Sequence, residues 1–169
     1  MKRKNIRELT TISLLVAAMA VTSQIAIPTG AVPLTVQTFT VALMGFFLGA
    51  KKGALATLVY ILLGVIGIPV FSNFQGGLHV IVGYGGGFVL GFLPFSFFCG
   101  FNGKGWAKIA IGLFGLLLCH LAGIVHYSYV SGLGLVLSFL TASLPFVLKD
   151  IFLTLCAYFF ANALKKRLY

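Results

Sequence analysis

Acid is what this sequence most lacks. Its 169 residues hold only two carboxylate side chains, Glu8 and Asp150, against 12 lysines and arginines. With so few acids and no Ser-His-Asp grouping, acid–base and nucleophilic catalysis have little to work with, and no enzyme is expected. The phosphate-cradling pattern G-x-x-x-x-G-K-[ST] is absent; "GAKKGA" and "FNGKGW" lack it, so the chain carries no ATP motor of its own. There are three cysteines, Cys99, Cys119 and Cys156. An odd count with no C-x-x-C pair implies neither a disulfide framework nor a cysteine metal site. His120 and His126 are six positions apart and do not share a helix face, so no metal is expected there either. No convincing inverted repeat of the kind many secondary transporters show is present.

Apolar residues dominate what is there. Sixty per cent of the chain is hydrophobic, 8% is charged, and the mean hydropathy is +1.09. A water-soluble domain of this size could not hide so much apolar surface, so the chain is expected to live in a bilayer. Its net charge of +10 is no nucleic-acid signature. The basic residues form short runs between apolar segments, which is a topology signal. A span needs about 20 apolar residues. Such stretches fall near 9–27, 34–50, 53–71, 79–101, 106–126 and 144–164. The second is short and opens as a loop. The stretch 128–143, with Gly132 and Gly134, reads as a loop plus a short surface-lying or re-entrant helix. Pro145 suits the first turn of the last helix. Met1–Arg7 before an apolar run imitates a signal peptide. No Ala-x-Ala pattern closes that run, so a retained first helix is expected.

The basic residues orient these spans. Lys2, Arg3, Lys4, Arg7, Lys51, Lys52, Lys104, Lys108, Lys165, Lys166 and Arg167 all fall on one side, and the opposite loops, 28–33, 72–78 and 127–143, hold none. The positive-inside rule then puts both termini in the cytoplasm. The expected fold is a single all-α membrane domain over 1–169. It has six transmembrane helices, with residues 1–8 as a basic cytoplasmic segment.

Lys149 and Asp150 break the pattern. Asp150 lies about six residues into the last span, roughly 9 Å deep at 1.5 Å per residue. An acid at the bilayer centre costs about 2.5–3.5 kcal/mol, and less near the surface. Such a residue has a partner or a task. The bland alternative is a neutralised pair with Lys149. Side chains at i and i+1 diverge by about 100°, however, so Lys149 is expected to snorkel outward instead.

Two further polar clusters fall on the outer side. "IPTGAVPLTVQTF" (27–39) breaks the helix at Pro28, Gly30 and Pro33 and then supplies Thr35, Gln37 and Thr38. "IPVFSNFQGGLHVIVGYGGGF" (68–88) interleaves Phe71, Phe74 and Tyr84 with Asn73, Gln75 and glycines such as Gly77; His79 lies among them. Amides read neutral polar groups and aromatics cover flat apolar faces, so with Asp150 these clusters suggest one outward-open pocket. The run Val82-Gly83-Tyr84-Gly85 spells part of a potassium filter. It lacks the leading threonine and the two-span setting such a filter needs. The glycine pairs Gly45/Gly49 and Gly87/Gly91 are expected to let helices pack closely. Three classes of function fit: a solute-binding transport subunit, a self-sufficient secondary transporter or channel for a small solute, and an assembly protein without a ligand.

"VPLTVQTFTVALMGFFLGAKKGALATLVYILLGVIGIPVF" closely resembles the biotin-transporter family BioY, and the likeness extends over about residues 10–165. "GGLHVIVGYGGGFVLGF" is similar to the family's next segment, with Tyr84-Gly85 in place of the usual Pro-Thr. Pro145, Phe146 and Asp150 resemble its last-helix run. The resemblance implies a substrate-binding S component of an energy-coupling-factor vitamin transporter in the bacterial plasma membrane. It has biotin as ligand, no cofactor, and as partners a membrane T component and two ATP-binding-cassette ATPases. It also implies that Asp150 and Asn73 meet the ureido ring and that Phe71, Gly77 and Tyr84 lie against the ring body and tail; Gln37 and Gln75 join the expected site as amides of the two outer clusters. Many members carry a lysine three residues after the aspartate; Leu153 stands there, which leaves Lys149 as the candidate. A small-residue face on the first helix, here Ala18, Thr22 and Ala26, is implied for partner docking.

Overall fold

The computed structural model describes residues 2–27 and 32–168, with side chains over 6–27 and 32–167. Pro28 and Gly30, and the side chains of Lys2–Lys4, lie outside the described residues. Helices make up most of the fold: α1 (Lys2–Gln24), α2 (Gln37–Leu48), α3 (Ala50–Val65), α4 (Leu78–Val82), α5 (Gly86–Cys99), α6 (Gly105–Ser131), α7 (Leu135–Ala142) and α8 (Leu144–Leu168). Two short strands, β1 (Ala26–Ile27) and β2 (Leu34–Thr35), pair antiparallel between α1 and α2. This corrects the all-α expectation locally. The segment after the first helix folds back as a ribbon and does not continue straight into the second.

Ile6–Gln24, Gly105–Ser131 and Leu144–Arg167 are long and apolar enough to cross a membrane. The helices between them are shorter than the hydropathy runs suggested. α2 has 12 residues, α3 has 16 and α5 has 14. The span expected over 79–101 is cut in two. Gly83 takes an extended conformation (φ −73°, ψ −179°), which ends α4 before α5 begins at Gly86. Helices long enough in sequence are thus interrupted where they meet the cavity described below.

α5 packs most extensively on α6, and α2 lies against α8. The buried core runs through Met19, Val41, Met44, Phe46, Tyr60 and Phe95. Large apolar side chains such as Leu148, Val136 and Tyr129 face outward, as expected where lipid is the solvent and close packing, not water exclusion, holds helices together. Close approach is visible at Gly45, where a Cβ would run into the Ser96 carbonyl of α5. Gly49 differs from its expected role. Its φ of +86° makes the sharp turn between α2 and α3, and a Cβ there would meet open space. Gly87 and Gly91 abut α6 at Ala122, His126 and Cys119, as the close-packing expectation required.

Candidate ligand-binding site

A cavity of about 320 Å³ opens among these elements. Its size falls at the lower end of the range for small-ligand pockets. Gln37 and Thr38 sit in the first turn of α2, and Lys149 and Asp150 in the second turn of α8. The cavity therefore lies at the ends of these helices farthest from Lys51 and Lys165. Phe71, Phe88, Phe92 and Phe146 supply an aromatic lining.

Asp150 is buried, only 6% exposed, in the deep wall. Its Oδ1 accepts from Thr38 Oγ1 at 2.7 Å and from Lys149 Nζ at 2.5 Å. Lys149 Nζ also donates to the Thr35 carbonyl of β2 at 2.6 Å. The expectation that Lys149 turns away is therefore corrected. Its flexible four-carbon stem curls back, because the buried carboxylate and the Thr35 carbonyl are acceptors at hand and the Coulomb attraction is strong away from water. One amine thus ties α8 to the ribbon that enters α2. On the other oxygen, Oδ2 lies 3.4 Å from His120 Nε2. His120 Nδ1 in turn meets Ser143 Oγ at 2.7 Å. A carboxylate offers about four lone-pair positions. Oδ1 is engaged twice; Oδ2 has His120 as its neighbour, and both residues line the cavity.

The opposite wall is a loop held mainly through its backbone. Val70 O accepts from Ser23 Oγ at 2.6 Å and from Tyr60 OH at 2.7 Å. Gln37 Nε2 donates to Tyr60 OH at 2.6 Å, so this buried amide braces the loop through the tyrosine. Gln24 closes the wall with both ends of its amide, donating to Phe71 O at 3.0 Å and accepting from Phe74 N at 2.8 Å. Phe71 is the one fully buried anchor. Its ring lies edge-on to Tyr60 with centroids 5.6 Å apart, and it fills the space where Gly64 lacks a side chain. Asn73 and Phe74 follow with φ of +58° and +56°. Two consecutive non-glycine residues in the left-handed region are strained and need surrounding bonds to persist.

The residues singled out from sequence divide accordingly. Phe71, Gln75, Tyr84, Gln37, Lys149 and Asp150 line the cavity, as does His79. Asn73 is exposed in the 3₁₀ turn Ser72–Phe74 and is not part of the lining. Gly77, also outside it, starts α4 with φ +108°, its N–H bonded to Gly64 O. Leu153 is half-buried and does not line the cavity. The filter-like run becomes the break at the cavity rim. Gly83, Tyr84 and Gly85 line it, Tyr84 packs on Tyr127, and His126 Nε2 meets Gly83 O at 3.0 Å. Sequence reasoning missed His120. It was weighed only as a metal ligand, although a histidine in the middle of an apolar helix raises the same question as a buried acid.

On α1, Ala18 and Thr22 are half-buried, and Thr22 Oγ1 is 2.8 Å from Thr40 Oγ1 of α2. Ala26 lies beyond the helix in β1. The three therefore do not form one outward stripe of α1. Among the described residues no group of three or more His, Cys, Asp or Glu side chains is placed to hold a metal.

The fold is shared with a solved protein. The crystal structure of the S-component for biotin from an ECF-type ABC transporter matches with a TM-score of 0.91 and 23% identity, covering 98% of this chain and 94% of that one. Two relatives in sequence span most of both chains. One is a biotin transporter BioY of Thermotoga maritima, 37% identical over 95% of this chain and 96% of its own. The other is a probable biotin transporter BioY of Pyrococcus horikoshii, 39% identical over 86% and 88%. The BioY family model matches residues 1–169. This chain is a membrane protein that belongs to the BioY family.

Proposed function

We propose that the chain is the biotin-binding membrane subunit of an ATP-driven energy-coupling-factor uptake transporter in the plasma membrane. It crosses the bilayer six times, with both termini in the cytoplasm, and works with a membrane T component and two ATPases. The observation that carries the ligand reading is the buried Asp150 carboxylate in an aromatic-lined cavity, in a family whose relatives are named biotin transporters. Biotin has an apolar bicyclic body, a urea with two donors and one acceptor, and a carboxylate tail. Asp150 Oδ2 accepts from a ureido N–H, and the aromatic walls take the ring. The exposed Gln75, His79 and Tyr84 lie nearer the mouth, so the tail points that way. Lys149, committed to Asp150 and Thr35, serves the carboxylate of the site and not the tail, which leaves the bicycle on the side away from the urea.

Reconstitution tests the division of labour. The chain alone in proteoliposomes should bind biotin without concentrating it, and uptake against a gradient should require the T component, the ATPases and ATP. Concentrative uptake by the chain alone would make it a self-sufficient transporter instead. The topology has its own check, in a background without the native cysteines. A cysteine at Ser131 should react with an impermeant thiol reagent added outside intact cells, whereas one at Lys104 should react only after lysis.

A further inference from the structure

We propose that His120 contacts the ligand directly: its Nε2–H and Asp150 Oδ2 form an adjacent donor–acceptor pair that reads the neighbouring C=O and N–H of one ureido edge. The inference rests on the biotin reading above and assigns the partner of the urea carbonyl.

His120 projects from the middle of α6, is 6% exposed, and lines the cavity. Two contacts fix its ring. Nδ1 lies 2.7 Å from Ser143 Oγ, and the ring stands at 87° to Phe88 with centroids 5.9 Å apart. The tautomer follows from the other nitrogen. An unprotonated Nε2 would turn its lone pair on a carboxylate 3.4 Å away, so Nε2 carries the proton and Ser143 donates to Nδ1. At 3.4 Å that N–H is only loosely engaged by Asp150 and lies beyond the usual hydrogen-bond range. It has reach to spare for a better acceptor in the cavity.

Asp150 Oδ1 is taken by Thr38 and Lys149. A ligand N–H therefore enters at Oδ2, beside His120. In a cyclic urea the N–H and C=O of one edge point the same way, one donor next to one acceptor. Oδ2 and Nε2–H present the matching acceptor and donor. Asn73, expected from sequence to share the ureido ring with Asp150, is exposed and outside the lining. His120 is the donor the cavity places there.

The test compares three ligands on purified protein. Biotin and desthiobiotin both keep the ureido ring, while 2-iminobiotin replaces the carbonyl oxygen by a protonated nitrogen that cannot accept. The affinity ratio of biotin to 2-iminobiotin is measured in each preparation, which cancels any inactive fraction. His120→Phe and His120→Met should each shift that ratio about tenfold toward 2-iminobiotin, the scale of one hydrogen bond. His120→Asn, which retains an N–H donor, should shift it less. Ser143→Ala, which leaves the imidazole in place but frees its tautomer, should also produce a smaller shift in the same direction. The ratio of biotin to desthiobiotin should stay constant throughout. An unchanged biotin to 2-iminobiotin ratio in the Phe and Met variants, or in Ser143→Ala should those two not fold, overturns the role of His120. Failure of wild type to bind any of the three ligands overturns the biotin reading itself.

Discussion

The two walls of the cavity are built on different principles. The deep wall, from α2, α6 and α8, is a network of side chains around one carboxylate: Thr38, Lys149 and His120 all converge on Asp150. The loop wall between α3 and α4 is held by its backbone, through carbonyls gripped by Ser23, Gln24 and Tyr60, with Val70 and Phe71 as its packed anchors. The deep wall can change little without leaving a buried charge unpaired. The loop wall can detach bond by bond, and its strained pair Asn73–Phe74 favours release. Under the proposed function, a network-held wall facing a loop-held one would suit a protein that must first hold a solute and later let it go.

This contrast can be broken most severely from the deep side. Asp150→Asn should lower biotin affinity about 10- to 150-fold, since charged hydrogen bonds contribute about 1.5–3 kcal/mol. It should also lower the melting temperature, because the amide strands the half-buried Lys149 amine. From the sequence alone, Lys149 was expected to turn outward and leave Asp150 uncompensated; the ion pair reverses that expectation. Isothermal titration and thermal unfolding of the same preparation measure both effects.

Gly64→Ala attacks Phe71, the more deeply buried anchor of the loop wall. The new methyl collides with the Phe71 ring, and overpacking of this kind costs about 1–3 kcal/mol. The expected result is a lower melting temperature together with faster amide exchange over 70–75, measured by hydrogen–deuterium exchange. Equal protection in mutant and wild type would mean that Phe71 does not hold the loop.

Gln24→Ala should have the smallest effect and sharpen the contrast most. It removes two hydrogen bonds from the loop wall and nothing from the deep wall. Biotin should dissociate about three- to tenfold faster, the scale of one net hydrogen bond of about 0.5–1.5 kcal/mol, since water can replace the bond to the exposed Phe74 N–H, with the melting temperature nearly unchanged. A large fall in stability without a change in dissociation would show that both walls share one cooperative unit.

The same contrast explains what was legible in the sequence. Asp150 stood out because a lone acid in an apolar segment needs a reason, and Phe71 and Gln37 because aromatics and amides clustered near helix breaks. These are properties of residue type against background. The directions of side chains were not legible in this way. Lys149 was expected to turn outward because i and i+1 diverge on a helix, a rule that fails for a long flexible chain with a buried acceptor in reach. Asn73 lay in the right loop, but its left-handed backbone places it in the exposed turn, away from the cavity. The β1–β2 ribbon was hidden because strands of two residues carry no periodicity. The interruption of α4 and α5 at Gly83 was visible as a glycine, but the hydropathy run across 79–101 suggested one continuous span.

The central claim is that this chain by itself binds biotin through the deep wall. Equilibrium titration of the purified protein, in detergent and without T component, ATPases or ATP, tests it most directly. The account predicts saturable binding of one biotin per chain, undiminished by the absence of nucleotide. No binding by the folded chain alone, or binding only after the ATPase module is added, would contradict it.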